Sequence, residues 1–439
     1  MRSALRLTLV LLAVAACFGC DQGRKAPPKT NVQVVHAAPG APAIDFYRER
    51  RSTVSQLQYG GASGVLLFDE DTYDFSVHTV QPSGATPVLQ SFSKAVVAGT
   101  DYTFVFTEVG GLIEPIILEA PRPEAGSADA QVMAVHAGPA QGPVDIFVEP
   151  PGADLATATP LATLAFTQSI APVARAAGEH VVTLTEPGNP ANVLFQSTPA
   201  TLAGGATTLL VIIDAANQGT DTRRVLLVRD GSTPLIDKNA TSAIRVVNAA
   251  GDGAARDVAV AGQFSPPLFA AVPFGTASAY ATVGPGDNEL SVTPAGNPGV
   301  VEATHTVTAE PGRSYTAVVA GAPGSVKMVS VSDDRRPVAD RAKIALLNGA
   351  SQFSAVLFHV LDVGGNPDER QPDAILGAPG ATQYVERVAG TYEIVLRNQD
   401  NVTVAGPVPI TVANGGIYTV LATNGPDAST ANVVLRDGF

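Results

Sequence analysis

Short apolar runs broken by Gly, Pro and Ala turns fill this chain, and within many runs apolar and polar residues alternate. Tyr73-Asp74-Phe75-Ser76-Val77 is the clearest case: every second side chain is apolar, as a strand with one buried face requires. One pattern is written four times. VVHAAPGAPAIDFY begins at Val34, AVHAGPAQGPVDIFV at Ala134, RVVNAAGDGAARDVAV at Arg245 and ALLNGASQFSAVLFHV at Ala345. Read from His36, His136, Asn248 and Asn348, the spacing is about 100 residues, the mark of a repeat architecture. Each copy predicts a short apolar strand, a Gly/Pro/Ala turn and a second, alternating strand.

The elements after the signature recur in a fixed order. In the first copy strands are expected at 55–59, 63–68, 73–80, 88–97, 102–107 and 112–118. The central hairpin strand returns as EHVVTL at Glu179, NELSVT at Asn288 and TYEIVL at Thr391. A Gly-led turn then introduces a late strand, AGTDYTFVFT from Ala98 in the first copy and NGGIYTVLAT from Asn414 in the last. Seven or so short strands per unit predict an all-β fold of four tandem Ig-like β-sandwich domains. Beyond the leader no segment has a 3.6-residue apolar period. The plan is a signal peptide with lipobox at 1–19, a polar tether at 20–30, and sandwiches at 31–120, 130–230, 242–334 and 342–439. The stretches 121–130, 231–242 and 333–341 are rich in Pro, Gly and charge, and they read as linkers that leave the units on a flexible or semi-flexible string.

The leader has a basic start, Arg2 and Arg6, and an apolar run over 7–16, too short to span a bilayer but suited to a signal-peptide core. It closes on Val14-Ala15-Ala16-Cys17 and then Phe18-Gly19-Cys20. Small residues before a cysteine resemble the lipobox of bacterial lipoproteins, whose thiol is acylated as the leader is removed. Cys17 fits that pattern better. Cys20 is the alternative, with Gly19 before it but Cys17 at the third position back, and an ordinary leader with a chance C-x-x-C is the remaining reading. Two or three acyl chains, at about 0.8 kcal/mol per buried CH₂, anchor a protein stably. The expectation is a lipid anchor in the bacterial cell envelope, at the outer membrane on its periplasmic or surface face, with membrane lipid as partner.

Composition narrows the chemistry. Hydrophobic residues make up 45% of the chain, so it can bury cores, but Trp is absent and those cores must rest on Val, Leu, Ile and Ala. The formal charge of −13 argues against nucleic acid as a partner. Both cysteines, Cys17 and Cys20, lie in the leader region ahead of the repeats, which leaves the sandwiches without disulfides, thiol nucleophiles or thiolate metal sites.

The signature histidines are the tempting site. His36 and His136 are each followed by an aspartate, Asp45 and Asp145, and a His–Asp pair can orient a general base. Asn248 and Asn348 stand in the same place in the later copies, and asparagine can replace a hydrogen-bonding imidazole but not its proton transfer. A polar side chain that satisfies turn backbone groups is therefore the preferred reading. No G-x-S-x-G elbow occurs; Gly61-Ala62-Ser63-Gly64 is a strand-start turn that returns as GTAS at Gly275. His78, His180, His305 and His359 are scattered singly, without zinc spacing. Asp69, Glu70 and Asp71 form a hairpin turn that is read as solvated, calcium being the alternative, though no EF-hand pattern surrounds it. Catalytic residues, metal ligands and cofactors are all expected to be none.

HAAPGAPAIDFY, the following YGGASGVLLFDEDTYDFSV and the AGTDYTFVF hairpin resemble the domain-of-unknown-function family 4397 (DUF 4397). Members carry a VVHASPDAPAVDVYVDG start and a G…SGY…LPAGTYTVTV middle. The likeness is good in the first three repeats and weaker in the fourth, where the aspartate has become Ala355 or Val356. The resemblance implies an all-β fold and an exported setting, and brings no established activity. The expectation is a non-catalytic structural, adhesive or ligand-binding envelope lipoprotein, with an envelope protein or glycan as candidate ligand. The alternative is a periplasmic or surface hydrolase with a site in one repeat.

Overall fold

The computed structural model describes residues 29–122, 127–216, 222–322 and 324–436. The leader, Cys17, Cys20 and nearly all of the tether lie outside the described residues. Within them the only helical element is a 3₁₀ turn at Pro367–Glu369.

The first repeat has eight strands: β1 (Lys29–His36), β2 (Ile44–Arg48), β3 (Arg51–Leu57), β4 (Leu66–Asp69), β5 (Asp71–Thr79), β6 (Val88–Val96), β7 (Thr100–Val109) and β8 (Leu112–Pro121). They form two four-stranded sheets, ordered β4-β1-β7-β8 and β3-β2-β5-β6. Val32, Val34, Phe104 and Phe106 of the first sheet pack against Ile44, Phe46, Phe75 and Val77 of the second, closing an apolar core. The expected strand at 55–59 begins earlier, at Arg51, because β2 and β3 are joined by a tight hairpin. Glu49 and Arg50 take left-handed φ values of 49° and 65° there. Two charged residues carry none of the Asn-Gly signal by which such turns are usually read.

β1 pairs with β7 in parallel, Val32 opposite Tyr102 and Val34 opposite Phe104. The same parallel pair recurs as Asp129–His136 with Thr207–Asp214, Ser242–Ala250 with Ser314–Gly321, and Ala342–Asn348 with Ile417–Asn424. A tyrosine near the start of the late strand folds back to cap the turn before it. The Tyr102, Tyr315 and Tyr418 hydroxyls accept the backbone N–H of Val97, Glu310 and Ala413.

The parallel pair is buried on both faces. Val34 and Phe104 face the core, while their neighbours Val35, Ala37 and Val105 turn outward. Those outward residues meet Met133, Val135, Leu209, Val211 and Ile213 of the second repeat in a second apolar core. The Thr107 hydroxyl donates to the Ala137 carbonyl (2.7 Å), and the Tyr59 hydroxyl to the Asp214 carbonyl (2.7 Å), across the same junction. Repeats one and two are thus welded back to back, giving four stacked sheets. Repeats three and four are joined in the same way through Val247, Ala249, Val318, Leu347 and Leu421. Gly349 marks the closest approach, since a Cβ there would collide with that of Ala249.

The expectation of separate units on a flexible string is therefore overturned, and the linkers contribute to the correction. Gly231–Pro234 adds a strand to the sheet of the second repeat, and Ser197 bridges Asp237. The stretch 333–341 lies on the first repeat: Ala339 N–H donates to the Gly40 carbonyl (2.8 Å), and Arg341 reaches the Val80 carbonyl (2.8 Å). Arg336 is buried, with Nη1 donating to the carbonyls of Pro39 (2.9 Å) and Ala41 (2.6 Å) and its guanidinium 5.2 Å from the Tyr59 ring centroid. Charge at 333–341 signalled solvent on the sequence, but here it serves to satisfy buried turn carbonyls.

A welded pair should unfold as one unit. The fragment 29–234 is expected to melt in a single cooperative transition, and Ile213→Ala, which empties part of the junction, should lower its stability by about 2–5 kcal/mol. The fragment 31–120 alone, which bares Val35, Val105 and Leu118, should self-associate or unfold more easily. Equal stability of the two fragments, with no response to Ile213→Ala, would contradict the weld.

Candidate functional site

The signature side chains are structural pins. His36 is fully buried at the end of β1; its Nε2 lies 2.8 Å from the Pro42 carbonyl, and its Nδ1 is 3.4 Å from the Ala38 N–H. His136 repeats this with the Gly142 carbonyl (3.1 Å) and the Gly138 N–H (3.4 Å). Asn248 does the same with an amide: Nδ2 donates to the Ala254 carbonyl (2.9 Å), and Oδ1 accepts from Ala250 N–H (3.1 Å). Asn348 Oδ1 likewise accepts from Ala350 N–H (2.9 Å), and its Nδ2 donates to Leu376 (2.7 Å). Donor and acceptor sit at matching ends of the two side chains, so Asn248 reproduces both contacts of the histidines, whereas Asn348 keeps the acceptor contact and gives its donor to the Leu376 carbonyl. Burial pushes the His36 imidazole down to about 3; the Pro42 hydrogen bond opposes that shift, and the Arg336 charge adds to it. Burial lowers His136 as well.

The aspartates do not orient these rings. Asp45 accepts the N–H of Gln56 (2.6 Å), Asp145 that of Gly188 (2.7 Å), and Asp257 those of Ala271 (2.7 Å) and Gly296 (2.8 Å). Gln56 and Ala271 both have positive φ, at irregular points of the strand beside β2 and its counterpart, so the carboxylate secures a bulge. In the fourth repeat Val356 and Phe358 take the core positions of Ile44 and Phe46. The missing aspartate is therefore at Leu357, not at Ala355 or Val356.

Ser63 accepts the Val34 N–H (3.0 Å) and donates to the Gly64 carbonyl (2.8 Å). Ser278 does the same for Val246 and Ala279. The acidic turn is dispersed: Asp69 pairs with Lys29, Glu70 accepts from Ala98 N–H, and Asp71 accepts from Thr72 N–H. Among the described residues no three metal-capable side chains gather. His78 lies beside Tyr47, ring centroids 4.4 Å apart, and its Nε2 is 2.9 Å from the Ser76 hydroxyl. His180 Nδ1 is 3.2 Å from the Gly178 carbonyl, and His305 Nε2 is 2.9 Å from the Ser330 hydroxyl. His359 is buried, and neither ring nitrogen has a partner.

Two features escaped the sequence reading. Arg256 takes the core position of Ile44 and is fully buried. Nε donates to Glu302 (2.6 Å), Nη2 to Asp252 (2.7 Å), and Nη1 to the carbonyls of Ala254 and Ala255. The second is a pair of clefts at equivalent places on the outer sheets. In the first repeat Tyr47, Ser76 and Ser91 lie side by side across the sheet, with Asp74 beside Ser93 in the next row. A cleft of about 430 Å³ opens there, lined by Glu49, Arg50, Asp74, Ser76, Ser91 and Ser93, with Phe75 and Phe92 also in its wall. In the second repeat the matching row is Phe147, Thr183 and Gln196. A cleft of about 300 Å³ is lined there by Glu149, Thr183, Gln196, Ser197 and Thr198, with Lys238 and Leu155 also in its wall. Each cleft sets a glutamate, Glu49 or Glu149, beside a cation, Arg50 or Lys238, and neutral hydroxyl groups.

The sheet order and the pinned signature turn define a protein of tandem two-sheet β-sandwiches. The chain belongs to the family described as Domain of unknown function (DUF4397), which matches residues 30–147 and 242–359, more than half of its length. Each match runs from the first strand of one repeat into the second strand of its welded partner. No curated protein matches the chain. Among solved structures, the crystal structure of BcpA, the major pilin subunit of Bacillus cereus, is similar at 8% identity with a TM-score of 0.15. It covers 91% of this chain and 100% of that one.

The pins predict a pH response. Folded His36 stays neutral to about pH 3, whereas in the unfolded chain it takes up a proton near 6.5. Stability from this site is full above about pH 6.5 and falls as the pH drops toward 3, because only the unfolded state gains the proton. His36→Asn should keep stability at pH 7 and flatten that acid slope in denaturant titrations. His36→Leu should cost about 1–3 kcal/mol at pH 7, by leaving turn groups unpaired. Equal losses for both substitutions at pH 7 would show that the imidazole itself matters.

Proposed function

We propose that this chain is a lipid-anchored protein of the bacterial cell envelope, with a non-catalytic structural, adhesive or ligand-binding role. The observation that carries this reading is how the polar side chains of the repeats are used. The signature His and Asn residues, the β2-strand aspartates and the strand-start serines hold backbone groups of their own repeat. In the clefts of the outer sheets Glu49, Ser93 and Ser197 hold backbone groups in the same way, while Asp74, Ser91 and Thr198 are exposed in the linings. The hydrolase alternative would draw on the deviant carboxylates of the third repeat, but Asp252 and Glu302 both hold the buried Arg256. The anchor rests on the leader: basic start, apolar run, small residues and then Cys17 or Cys20.

Labelling cells with an azido-fatty acid should mark the chain and send it to the membrane fraction, and changing both Cys17 and Cys20 to Ser should abolish the label. Cys17→Ser alone should remove most of it. Label that persists in the double variant would exclude the anchor.

A further inference from the structure

We infer that the stretch 363–373 is an acid-sensitive strap across the outer sheet of the fourth repeat, shut while His359 is neutral and lifted when that ring takes up a proton. In the first repeat β2 and β3 are joined by the tight hairpin of Glu49 and Arg50, and the outward side chains Tyr47 and Ser76 are only half-buried. In the fourth repeat the matching strands, Val356–Asp362 and Ala374–Leu376, are joined instead by 363–373. The outward positions are closed off there: His359, Leu361, Val395 and Arg397 are all buried.

Hydrogen bonds trace the course of the strap. Gly364 N–H donates to Glu393 (3.0 Å), and Arg397 Nη1 donates to Asp368 (2.7 Å). Glu393 and Arg397 flank Val395, which stands opposite His359, so the strap crosses the His359–Val395 row. Asp373 fixes its far end, accepting from Val360 N–H (2.7 Å) and from Arg387 (2.6 Å). None of the residues in 363–373 is itself buried. Ion pairs and turn contacts hold the strap, and a segment held that way opens without unfolding the sheet beneath it.

Under the strap neither ring nitrogen of His359 has a hydrogen-bond partner, and Arg397 Nε has none either. A neutral imidazole tolerates such a place. An imidazolium does not, because an unpaired buried charge costs far more than an unpaired neutral group. The charged groups around the ring are Arg397 on the neighbouring strand and Asp368, Arg370 and Asp373 on the strap. Glu369 is turned away to Asn366, and Glu393 is held by Gly364.

Burial lowers the His359 pKa; Arg397 and Arg370 add to the shift, while Asp373 and Asp368 oppose it. Both carboxylates are already engaged, by Arg387 and Arg397. Once the strap lifts, the ring returns toward its ordinary value of 6.5. The shut form is therefore fully favoured above about pH 6.5 and loses stability as the pH falls below it, because only the lifted form binds the proton. Asp368 is held below the usual carboxylate range by Arg397, so it stays ionised through that window and the histidine is the group that titrates. Lifting bares Leu361 and Val395 on the sheet that already carries the exposed Ile375, and acid turns a polar face apolar.

The test uses the full chain with Cys17 and Cys20 replaced by Ser and spin labels attached through Gln371→Cys on the strap and Val402→Cys on an exposed turn of the same repeat. Pulsed dipolar spectroscopy should give one narrow distance at about pH 8 and a second, longer one that grows between about pH 6.5 and 5. Circular dichroism should stay unchanged over that range. His359→Leu should hold the short distance throughout, and Asp368→Asn, which weakens the latch, should shift the lifting midpoint toward neutral pH. If His359→Leu unfolds the repeat, Asp368→Asn still reads the assignment. A single unchanged distance in wild type down to about pH 5, lifting that persists in His359→Leu, a midpoint unmoved by Asp368→Asn, or loss of the β spectrum in step with lifting would overturn the proposal.

Discussion

The structure depends on one constraint: the parallel pair of β1 and β7 is too apolar on both faces to be covered by a single sandwich. One face closes the core with Phe46 and Phe75; the other needs a second sheet, and the next repeat supplies it. Parallel strands buried on two sides are usually covered by helices. Here the cover is a copy of the same sheet, and the repeating unit of the protein becomes a pair. The two pairs differ in how they meet. The first junction is broadly apolar, whereas the second has a small apolar centre bordered by polar contacts. Arg245 donates to Thr316 (2.7 Å), and Thr316 and Tyr280 both donate to Asp333.

The signature turn has to end an apolar strand without leaving backbone groups unpaired in the interior. An imidazole does this only while neutral, one nitrogen accepting and the other donating, and an asparagine does it at any pH. The four copies divide between these two solutions, and neither leaves a group free for proton transfer. The family match, which begins in one repeat and ends in its partner, follows the same pairing.

Much of this was legible in the sequence. The repeat period, the all-β class and the structural reading of His36 and Asn248 all came from residue pattern alone. The weld was written there as well, in the unbroken runs of VVHAA, FVF and TTLLVII, but a run without alternation has the same form whether a helix, a sheet or a second domain covers it. The linkers misled because charge was taken to mean solvent, whereas Arg336 and Arg341 are spent on carbonyls far away in sequence. Arg256 and the clefts were out of reach for a further reason. One depends on an arginine standing in a core register, and the other on side chains gathered from three strands that only the sheet brings together.

The central claim is that repeats one and two form one rigid body. Apart from Cys17 and Cys20 the chain has no cysteine, so after replacing both with Ser, spin labels can be placed singly at will. Labels at Ser93 and Ala191 would sit on the two outermost sheets of the welded pair. Their distance distribution from pulsed dipolar spectroscopy on the full chain is predicted to be single and narrow, and to broaden with Ile213→Ala. A broad distribution in the otherwise unaltered chain would mean that the repeats move independently, and would contradict the account.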